Sequence, residues 1–393
     1  RSSLPVARCP FACCCVAQAT RLMKYIFPVL LVAVSILFPF IHPRCVSASD
    51  DAGEDPFVIA GYLPDYRAYI NINATAMHLT DLMLFSLTPE SILQYATMAS
   101  SSSLSSPPEG CCLSSDHYDK IRKARSYKRK HQQYKEIRLL LTVGGGGRSN
   151  GFREVVTGNL QIQRQFIKGL VQLCRDEEMD GIDLDFEGIQ SLAEWNAYLK
   201  FLPTASTYLH SHGLLLTVAL HPGQFLSSEV CQSMDRVHIM TYDMVPSSAD
   251  KRTNHHASIH SVQDALTAFV QKGCHPSKLI MGIPAYGRHR QNKGLVKTYS
   301  EVVDDIAKNN NDNKEIWKSI QSMQTWREYQ FDSPDDVHAK VKYAVQNGLG
   351  GIFIWELGQD KQMTGVAEGG ILLEAAASSA TKLGMDDKPT CPL

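Results

Sequence analysis

Short β-rich runs alternate with helical patterns eight times along this chain, and this alternation constrains the fold more than any other feature. The runs span about 320 residues, which suits one large α/β domain. We therefore predict an α/β fold, a single-domain (β/α)8 TIM barrel with at most a short insertion after strand 7; a doubly wound sheet is the alternative. The runs are FVIAGYL (from 57), DLMLFSL (81), EIRLLLTV (136), GIDLDFE (181), LLLTVAL (214), RVHIMTY (236), KLIMGIPAY (278) and GGIFIWEL (350).

Several helices between these strands begin with recognisable signals. SLAE at 191–194 matches a capping box, and SPDD at 333–336 places proline in the first turn of a helix that ends at Gly348. SVQD at 261–264 is expected to open a helix that ends at Gly273. Apolar residues of QIQRQFIKGLVQLC at 161–174 recur on one helical face.

The N-terminal region has the features of an export signal. Lys24 precedes an apolar run at 25–41, and a small-residue V-S-A sequence ends at Ala48. Our hypothesis is that Met23 is the start and that residues 1–22 are upstream sequence. We expect a signal peptide within 1–48, a spacer at 49–56, the barrel at 57–380 and a tail at 381–393. The protein is then secreted, or membrane-anchored if 25–41, which is marginal for a span of about 20 residues, is retained.

Composition gives little reason to expect a charged partner. The formal net charge of the 393 residues is −1, so no nucleic-acid partner is expected, and the basic stretch at 118–138 is interpreted as a solvated helix face. Six cysteines follow the predicted cleavage and permit disulfides of undetermined connectivity, with Cys174 expected as a buried thiol. Asn73 begins the N-glycosylation sequon NAT, and we expect a monomer.

The fourth run carries an unusual row of acids. MDGIDLDFEG at 179–188 places Asp180, Asp183, Asp185 and Glu187 among glycine and apolar residues. Alternation puts the last three on one face of a strand, about 6.5 to 7 Å apart, so at least one pKa is expected to rise. Glu187 falls at the C-terminal end of the strand, where barrels of this type carry their chemistry, and there a carboxyl group suits general acid catalysis. A Ca²⁺ or Mg²⁺ site, a wetted edge strand, or a purely structural Asp183 are the alternatives.

These residues match a known family. DGIDLDFE resembles the D-x-x-D-x-D-x-E signature of glycoside hydrolase family 18, the chitinases and their relatives. LLLTVGG (139–145), HIMTYD (238–243), GIPAYGR (282–288), GGIFIWELGQD (350–360) and IAGYLPDYR (59–67) resemble further segments of that family, in the same order. The resemblance covers residues from about 57 to 360.

The resemblance implies unequal roles for the acids. Glu187 is then the general acid, Asp185 orients the substrate's 2-acetamido group, and Asp183 shares a proton with Asp185. The substrate's acetamide oxygen, rather than a protein carboxylate, attacks the anomeric carbon. The implied function is retaining hydrolysis of β-1,4-linked N-acetylglucosamine, without metal or cofactor. A catalytically inactive chitin-binding lectin of the same family and an endo-β-N-acetylglucosaminidase acting on N-glycans are the alternatives.

The same resemblance supplies the remaining site residues. Tyr242 is expected to contact the acetamide carbonyl, and Trp355 to form an apolar floor under the sugar. The other expected substrate contacts are Asp243, Met240, Tyr62, Tyr286 and Arg288. The expected structural supports are Asp180, Gly181, Thr142, Gly144 and Gly145.

Three further features bear on this interpretation. Many family members have Trp where this chain has Phe186, but by parity this residue faces away from the sugar. The connection at 288–337 is too short for the large α+β insertion of many family chitinases, so a shallow groove is expected. GRSNG at 147–151 matches the G-x-S-x-G nucleophile elbow of serine hydrolases, a rival interpretation in which Ser149 is the nucleophile. His255, His256 and His260 lack zinc-site spacing and are interpreted as a solvated loop.

Overall fold

The structure, a computed structural model, describes residues 57–67, 70–100, 114–131, 137–244, 255–309 and 318–386. The predicted signal segment and the spacer lie outside these residues, as do Cys111, Cys112 and Cys391. No helix within the described ranges is both long and apolar enough to cross a membrane.

Eight parallel strands close into a barrel, which confirms the predicted (β/α)8 fold and rules out the doubly wound sheet. Each strand pairs with its neighbours in the sheet, and β1 closes the barrel against β12. The barrel strands are β1 (Val58–Pro64), β2 (Asp81–Leu87), β3 (Arg138–Gly144), β4 (Gly181–Asp185), β5 (Leu215–Leu220), β6 (Arg236–Ile239), β7 (Leu279–Pro284) and β12 (Gly351–Trp355).

Helices follow the strands on the outside of the barrel. Ser191 and Ser333 cap their helices as predicted, whereas Ser258 rather than Ser261 caps α8, which therefore begins three residues before the predicted start. The predicted boundary at 380 falls inside α11. The helices are α1 (Ile72–Ala76), α2 (Pro89–Ser100), α3 (Ser115–His131), α4 (Phe152–Thr157), α5 (Leu160–Asp176), α6 (Leu192–His210), α7 (Ser228–Ser233), α8 (Ile259–Gln271), α9 (Tyr299–Lys308), α10 (Pro334–Gln346) and α11 (Ile371–Asp386).

The connection after β7 forms a small antiparallel sheet with α9 beside it. Its strands are β8 (Tyr286–His289), β9 (Val296–Thr298), β10 (Thr325–Trp326) and β11 (Tyr329–Gln330), in the order β10-β11-β8-β9. The insertion is short, as predicted, but the sheet itself was not predicted. Two-residue strands carry too little periodic pattern to be recognised in a sequence.

Buried side chains fill two regions. Apolar residues between strands and helices form one core, and a second cluster that includes Tyr62, Phe85, Tyr242 and Phe353 fills the inside of the barrel. Near the start of the strands, buried Asp81 accepts hydrogen bonds from Arg138 and Arg236. This polar cluster closes the end of the barrel opposite the acids of β4.

The basic stretch is helical and is tied to acids at the beginning of β4. Lys128 contacts both carboxylate oxygens of Asp180, and Arg125 lies 3.3 Å from Glu177. Asp180 also accepts a 2.7 Å hydrogen bond from the backbone N–H of Leu139. Lys128 and Arg125 are therefore paired with acids of the turn that leads into β4.

A disulfide links α7 to the segment that follows α8 on one side of the barrel. Cys231 of α7 is bonded to Cys274, which follows α8. Cys174 is a buried free thiol, which confirms its predicted state.

Candidate active site

Asp183 lies inside the barrel and is completely buried. Its carboxylate accepts hydrogen bonds from three hydroxyl groups, those of Thr217 at 2.6 Å, Tyr62 at 3.0 Å and Thr142 at 3.2 Å. Burial raises the pKa of Asp183 to about 6, although these three hydrogen bonds favour the ionised form. The surroundings of Asp183 therefore supply hydrogen-bond donors that suit a buried carboxylate.

Asp185, the last residue of β4, is buried in a different environment. Its Oδ1 has no hydrogen-bond partner among the described residues. Burial, together with the nearby charges of Glu187 and Asp183, raises the pKa of Asp185 well above its usual value. The expectation that at least one acid of the row has a raised pKa is thus confirmed for Asp183 and Asp185.

Glu187 lies beyond the end of β4 and is half-buried. Its backbone N–H donates a 3.0 Å hydrogen bond to the hydroxyl of Ser149, and its Oε2 lies 3.2 Å from Nε2 of His221. A cavity of about 520 Å³ borders Glu187, and Gly146, Gly147 and Gln190 also line it. Of the three aligned acids, Glu187 is the one that reaches solvent.

Glycines at the end of β3 make room for Asp185. The backbone N–H of Gly145 donates a 2.7 Å hydrogen bond to the carbonyl of Asp185. A Cβ on Gly144 would lie 2.1 Å from that carbonyl oxygen, and one on Gly145 would lie 2.2 Å from the ring of Phe85. Both glycines also have positive φ values, of 106° and 99°. Any other residue at either position would therefore be unfavourable because of steric overlap and because of backbone strain.

The start of the strand is also tightly packed. A Cβ on Gly181 would lie 2.5 Å from the carbonyl oxygen of Leu215, so close strand approach requires glycine there. Asp180, one residue earlier, lies at the opposite end of β4 from Glu187. Phe186 is buried and stacks on Phe152 with ring centroids 4.7 Å apart, so it faces away from the barrel interior as expected.

Asp243 is held by a set of donors beside the acids. The hydroxyl of Tyr286 and Nε of Arg288 each donate to its Oδ1 at 2.7 Å, and Nδ1 of His256 lies 3.3 Å from the same oxygen. Burial alone would raise the pKa of Asp243, but its bonds to His256, Tyr286 and Arg288 lower it to about 2. The residue adopts a positive φ of 56°, which Asp tolerates better than most residues.

Aromatic side chains pack around the acids of β4 and Asp243. Trp355, half-buried at the end of β12, packs edge-on against Phe85 at 4.8 Å and Tyr62 at 5.4 Å. Tyr242 is buried within 6.2 Å of Tyr286, and burial is the main cause of its strongly raised pKa. Met240 belongs to the same buried cluster.

Two residues expected to line the cleft lie beneath it instead. Tyr62 is 1% exposed and Tyr286 is 4% exposed, so neither presents a face to solvent. Their hydroxyls are used to hold Asp183 and Asp243. The sequence motif indicated that these tyrosines belong to the site. It could not show whether they line the cleft or hold the acids from beneath it. Arg288 does border a small cavity with Asp243 and Lys293.

Two other interpretations of the sequence are corrected. His255 and His256 are buried rather than solvated, because His255 lies 3.0 Å from the carbonyl of Phe331 and His256 packs under Asp243. Ser149 donates to backbone carbonyls and accepts from Glu187, so its hydroxyl supports the acid loop. His221 and His256 were not identified as site residues from the sequence, because neither lies in a motif that signals the contact.

The residues present offer no evident cation site. Within the described ranges, no group of three or more His, Cys, Asp or Glu side chains is arranged to hold a metal ion. The carboxylate of Asp183 is instead surrounded by hydroxyl donors.

Comparison with known families agrees with this geometry. The family described as "Glycosyl hydrolases family 18" matches residues 59–360, which include every residue of the site. The chain belongs to glycosyl hydrolases family 18.

Curated relatives of this family member are distant. It is 24% identical over 271 residues to Chitinase 1 of Aphanocladium album, covering 59% of this chain and 64% of that protein. It is 26% identical over 278 residues to Chitotriosidase-1 of Mus musculus, covering 57% of this chain and 59% of that protein. The chain thus spans about six-tenths of the length of these relatives.

Solved structures share the fold of this family 18 chain. The GH18 chitinase ChiB of Flavobacterium johnsoniae aligns with a TM-score of 0.62 at 20% identity, covering 84% of this chain and 95% of the other. The GH18 chitinase of Cycas revoluta in complex with (GlcNAc)3 aligns with a TM-score of 0.63 at 19% identity, covering 82% and 99%. At this identity the similarity establishes the fold alone.

Proposed function

We propose that this protein is a chitinase-like glycoside hydrolase that cleaves β-1,4-linked N-acetylglucosamine with retention of configuration. The observation that carries the proposal is the unpartnered Oδ1 of buried Asp185, two residues before the accessible carboxyl group of Glu187. An acetamide N–H of a bound sugar would supply the missing donor once the side chain of Asp185 rotates toward Glu187. A glycan without that group would leave the oxygen unsatisfied. Membership of glycosyl hydrolases family 18 and similarity to chitinases support the proposal.

The first chemical step combines an acid with help from the substrate. Glu187, whose side chain is 28% exposed, protonates the leaving glycosidic oxygen. The acetamide oxygen of the same sugar attacks the anomeric carbon as the bond to the leaving group breaks, giving an oxazolinium-like intermediate. Asp185 accepts a hydrogen bond from the acetamide N–H, and the negative charge of the Asp183–Asp185 pair, which shares one proton, stabilises the positive charge that develops on the acetamide.

The second step releases the product. Glu187, now a carboxylate, removes a proton from water as the water oxygen attacks the anomeric carbon. The acetamide is regenerated, and two inversions give net retention. Tyr242 would donate to the acetamide oxygen, Asp243 would bind a sugar hydroxyl, and Trp355 would support the apolar face of the ring.

A ladder of N-acetylglucosamine oligomers tests this function, with the matched glucosamine oligomers as controls. We expect cleavage of the acetylated series, no measurable cleavage of the deacetylated series, and a β-anomer as the first product by proton NMR. Equal rates on both series would contradict the mechanism. Binding without cleavage would favour the lectin, and preferential release of glycans from a glycoprotein would favour the endo-β-N-acetylglucosaminidase.

We further propose that the protein is exported. The disulfide between Cys231 and Cys274 supports an oxidising compartment, because such bonds rarely persist in a reducing cytosol. Expression of the full chain in a secreting host tests this. We expect the protein in the medium with an N-terminus close to residue 49, and retention in the cytosol would contradict it.

A further inference from the structure

A buried chain of polar groups runs beneath the acids of β4. The hydroxyl oxygen of Tyr62 lies 3.0 Å from Oδ2 of Asp183 and 2.7 Å from Nδ1 of His238. Tyr62 is 1% exposed, and Asp183 and His238 are fully buried. The chain joins β1, β4 and β6 through the inside of the barrel.

Few protons are available to the hydrogen bonds that join Asp183, Tyr62 and His238. A tyrosine hydroxyl has one proton, so Tyr62 can donate to Asp183 or to His238, but not to both. Burial is the main cause that lowers the pKa of His238, to about 3, and the charge of Arg236 lowers it further. The imidazole is therefore neutral and carries one N–H.

The surroundings of His238 decide where that proton lies. Nε2 of His238 is buried without a partner among the described residues, and the ring stacks on Phe353 at 5.2 Å. A proton on Nε2 would leave a buried N–H unsatisfied and would draw the Tyr62 hydroxyl away from Asp183. A proton on Nδ1 leaves only one acceptor lone pair unused, so the Nδ1–H form satisfies more groups.

We propose that His238 is a positioning residue whose Nδ1–H donates to the hydroxyl of Tyr62 and thereby directs the Tyr62 proton to Oδ2 of Asp183. Donation into the hydroxyl oxygen strengthens the bond that the hydroxyl itself makes. Asp183 is then held as the ionised member of the acid pair, and the proton stays on Asp185, beside the substrate. The effect on activity rests on the proposed function, whereas the proton arrangement does not.

Other groups also face this chain. Thr142 and Thr217 donate to Asp183, and the charge of Asp185 acts on Tyr62. The charges of Arg236 and Asp81 act on His238. The experiment therefore keeps all of these residues and changes only the imidazole.

Two isosteric replacements form the main test. His238→Asn keeps an N–H that can reach the Tyr62 hydroxyl. His238→Leu introduces a side chain of nearly the same shape as asparagine that has no donor. Loss of the donor weakens the bond to ionised Asp183, so Asp183 retains its proton to higher pH. We expect the acidic limb of the kcat profile of the Leu variant to move up by about 0.5 pH unit, with kcat about three- to tenfold lower and KM within about twofold. The Asn variant should stay close to wild type.

A double-mutant cycle shows whether the effect passes through Tyr62. In a Tyr62→Phe background the Leu and Asn variants should have the same profile. The proposal would be overturned if the pH profiles of the Leu and Asn variants differed by the same amount in the Tyr62→Phe and wild-type backgrounds. It would also be overturned if the two variants had identical profiles in the wild-type background.

The proton position can also be measured in the unaltered protein. Nitrogen-15 NMR of histidine-labelled wild type, with His238 assigned by its contacts to the Phe353 ring, should show the Nδ1–H form at pH 7. An Nε2–H form or an imidazolium would overturn the proposal. This measurement remains valid if a variant fails to fold. Inactivity of the wild type on N-acetylglucosamine oligomers would instead count against the proposed function alone.

Discussion

At the scale of single residues, neighbouring acids of one strand have different chemistry because their surroundings differ. Asp183 accepts hydrogen bonds from three hydroxyl groups, one oxygen of Asp185 has no partner in the described part of the chain, and Glu187 borders a cavity. Alternation along a strand predicted a shared face for them. It could not predict the donors, because Thr142, Thr217 and Tyr62 come from three other strands.

The environment of Asp185 predicts a conflict between stability and function. A carboxyl group with a raised pKa in the folded state binds a proton more tightly there than in the unfolded chain. Its contribution to stability is therefore complete below the unfolded value, near 3.8, and is lost as pH rises toward the folded value. Asp185→Asn should remove this loss and raise the free energy of unfolding at pH 8 by on the order of 1 to 3 kcal/mol, while abolishing hydrolysis.

Urea unfolding at several pH values measures this effect. The difference between the Asn variant and wild type should shrink as the pH is lowered toward 4. A variant that is less stable than wild type at pH 8, or a difference independent of pH, would contradict the assigned environment of Asp185.

The contact between His221 and Glu187 predicts a smaller effect. The side chain of His221 is 50% exposed, so its 3.2 Å hydrogen bond to Glu187 orients the acid without burying it. His221→Ala should lower kcat about three- to fivefold, since the net value of such a bond is about 1 kcal/mol or less. His221→Gln, which keeps a donor, should restore part of the rate, and steady-state kinetics on one oligomer measures both.

At the scale of elements, the ends of strands and the insertion place the site. The strands β4 and β6 end at Asp185 and Ile239, earlier than the sequence runs suggest, so Glu187 and Tyr242 lie on the loops that follow. Pattern alone could not locate these ends, because the apolar periodicity continues into the loops. The β8 strand then brings Tyr286 and Arg288 to Asp243.

The β8 strand predicts a binding defect. Arg288 contacts both carboxylate oxygens of Asp243, a fork geometry that lysine cannot reproduce. Arg288→Lys should therefore raise KM about fivefold or more, with a smaller change in kcat, because Asp243 would be less firmly placed to bind the sugar. Arg327→Lys, on the same small sheet near Asp305, is the control and should leave both constants unchanged. Equal effects of the two variants would point to a general loss of the sheet.

At the level of the complete fold, the sequence predicted the closed barrel and its eight strands because buried parallel strands are strongly apolar and alternate with helical patterns. The short strands of the insertion and the buried His238 were not recognised as parts of the architecture. Their positions depend on contacts between distant segments, such as the 2.7 Å approach of His238 to Tyr62 across 176 residues.

The Cys231–Cys274 disulfide predicts a measurable share of the overall stability. It joins residues 43 positions apart, and a loop of that length corresponds to about 3 to 4 kcal/mol of lost unfolded-state entropy. The double variant Cys231→Ala/Cys274→Ala should unfold at correspondingly lower denaturant concentration. Dithiothreitol should destabilise wild type to a similar extent and leave the double variant unaffected. Insensitivity of wild type to reductant under unfolding conditions would contradict this.

Glu187 is the proposed proton donor of a working hydrolase. The most direct measurement is the rate of reducing-end release from N-acetylglucosamine tetramer by wild type and by Glu187→Gln, with binding of the tetramer measured in parallel. We predict a loss of about 100- to 10,000-fold in the Gln variant, with binding retained, because an amide cannot protonate the leaving oxygen. Equal release by the two proteins, at any level, would contradict it.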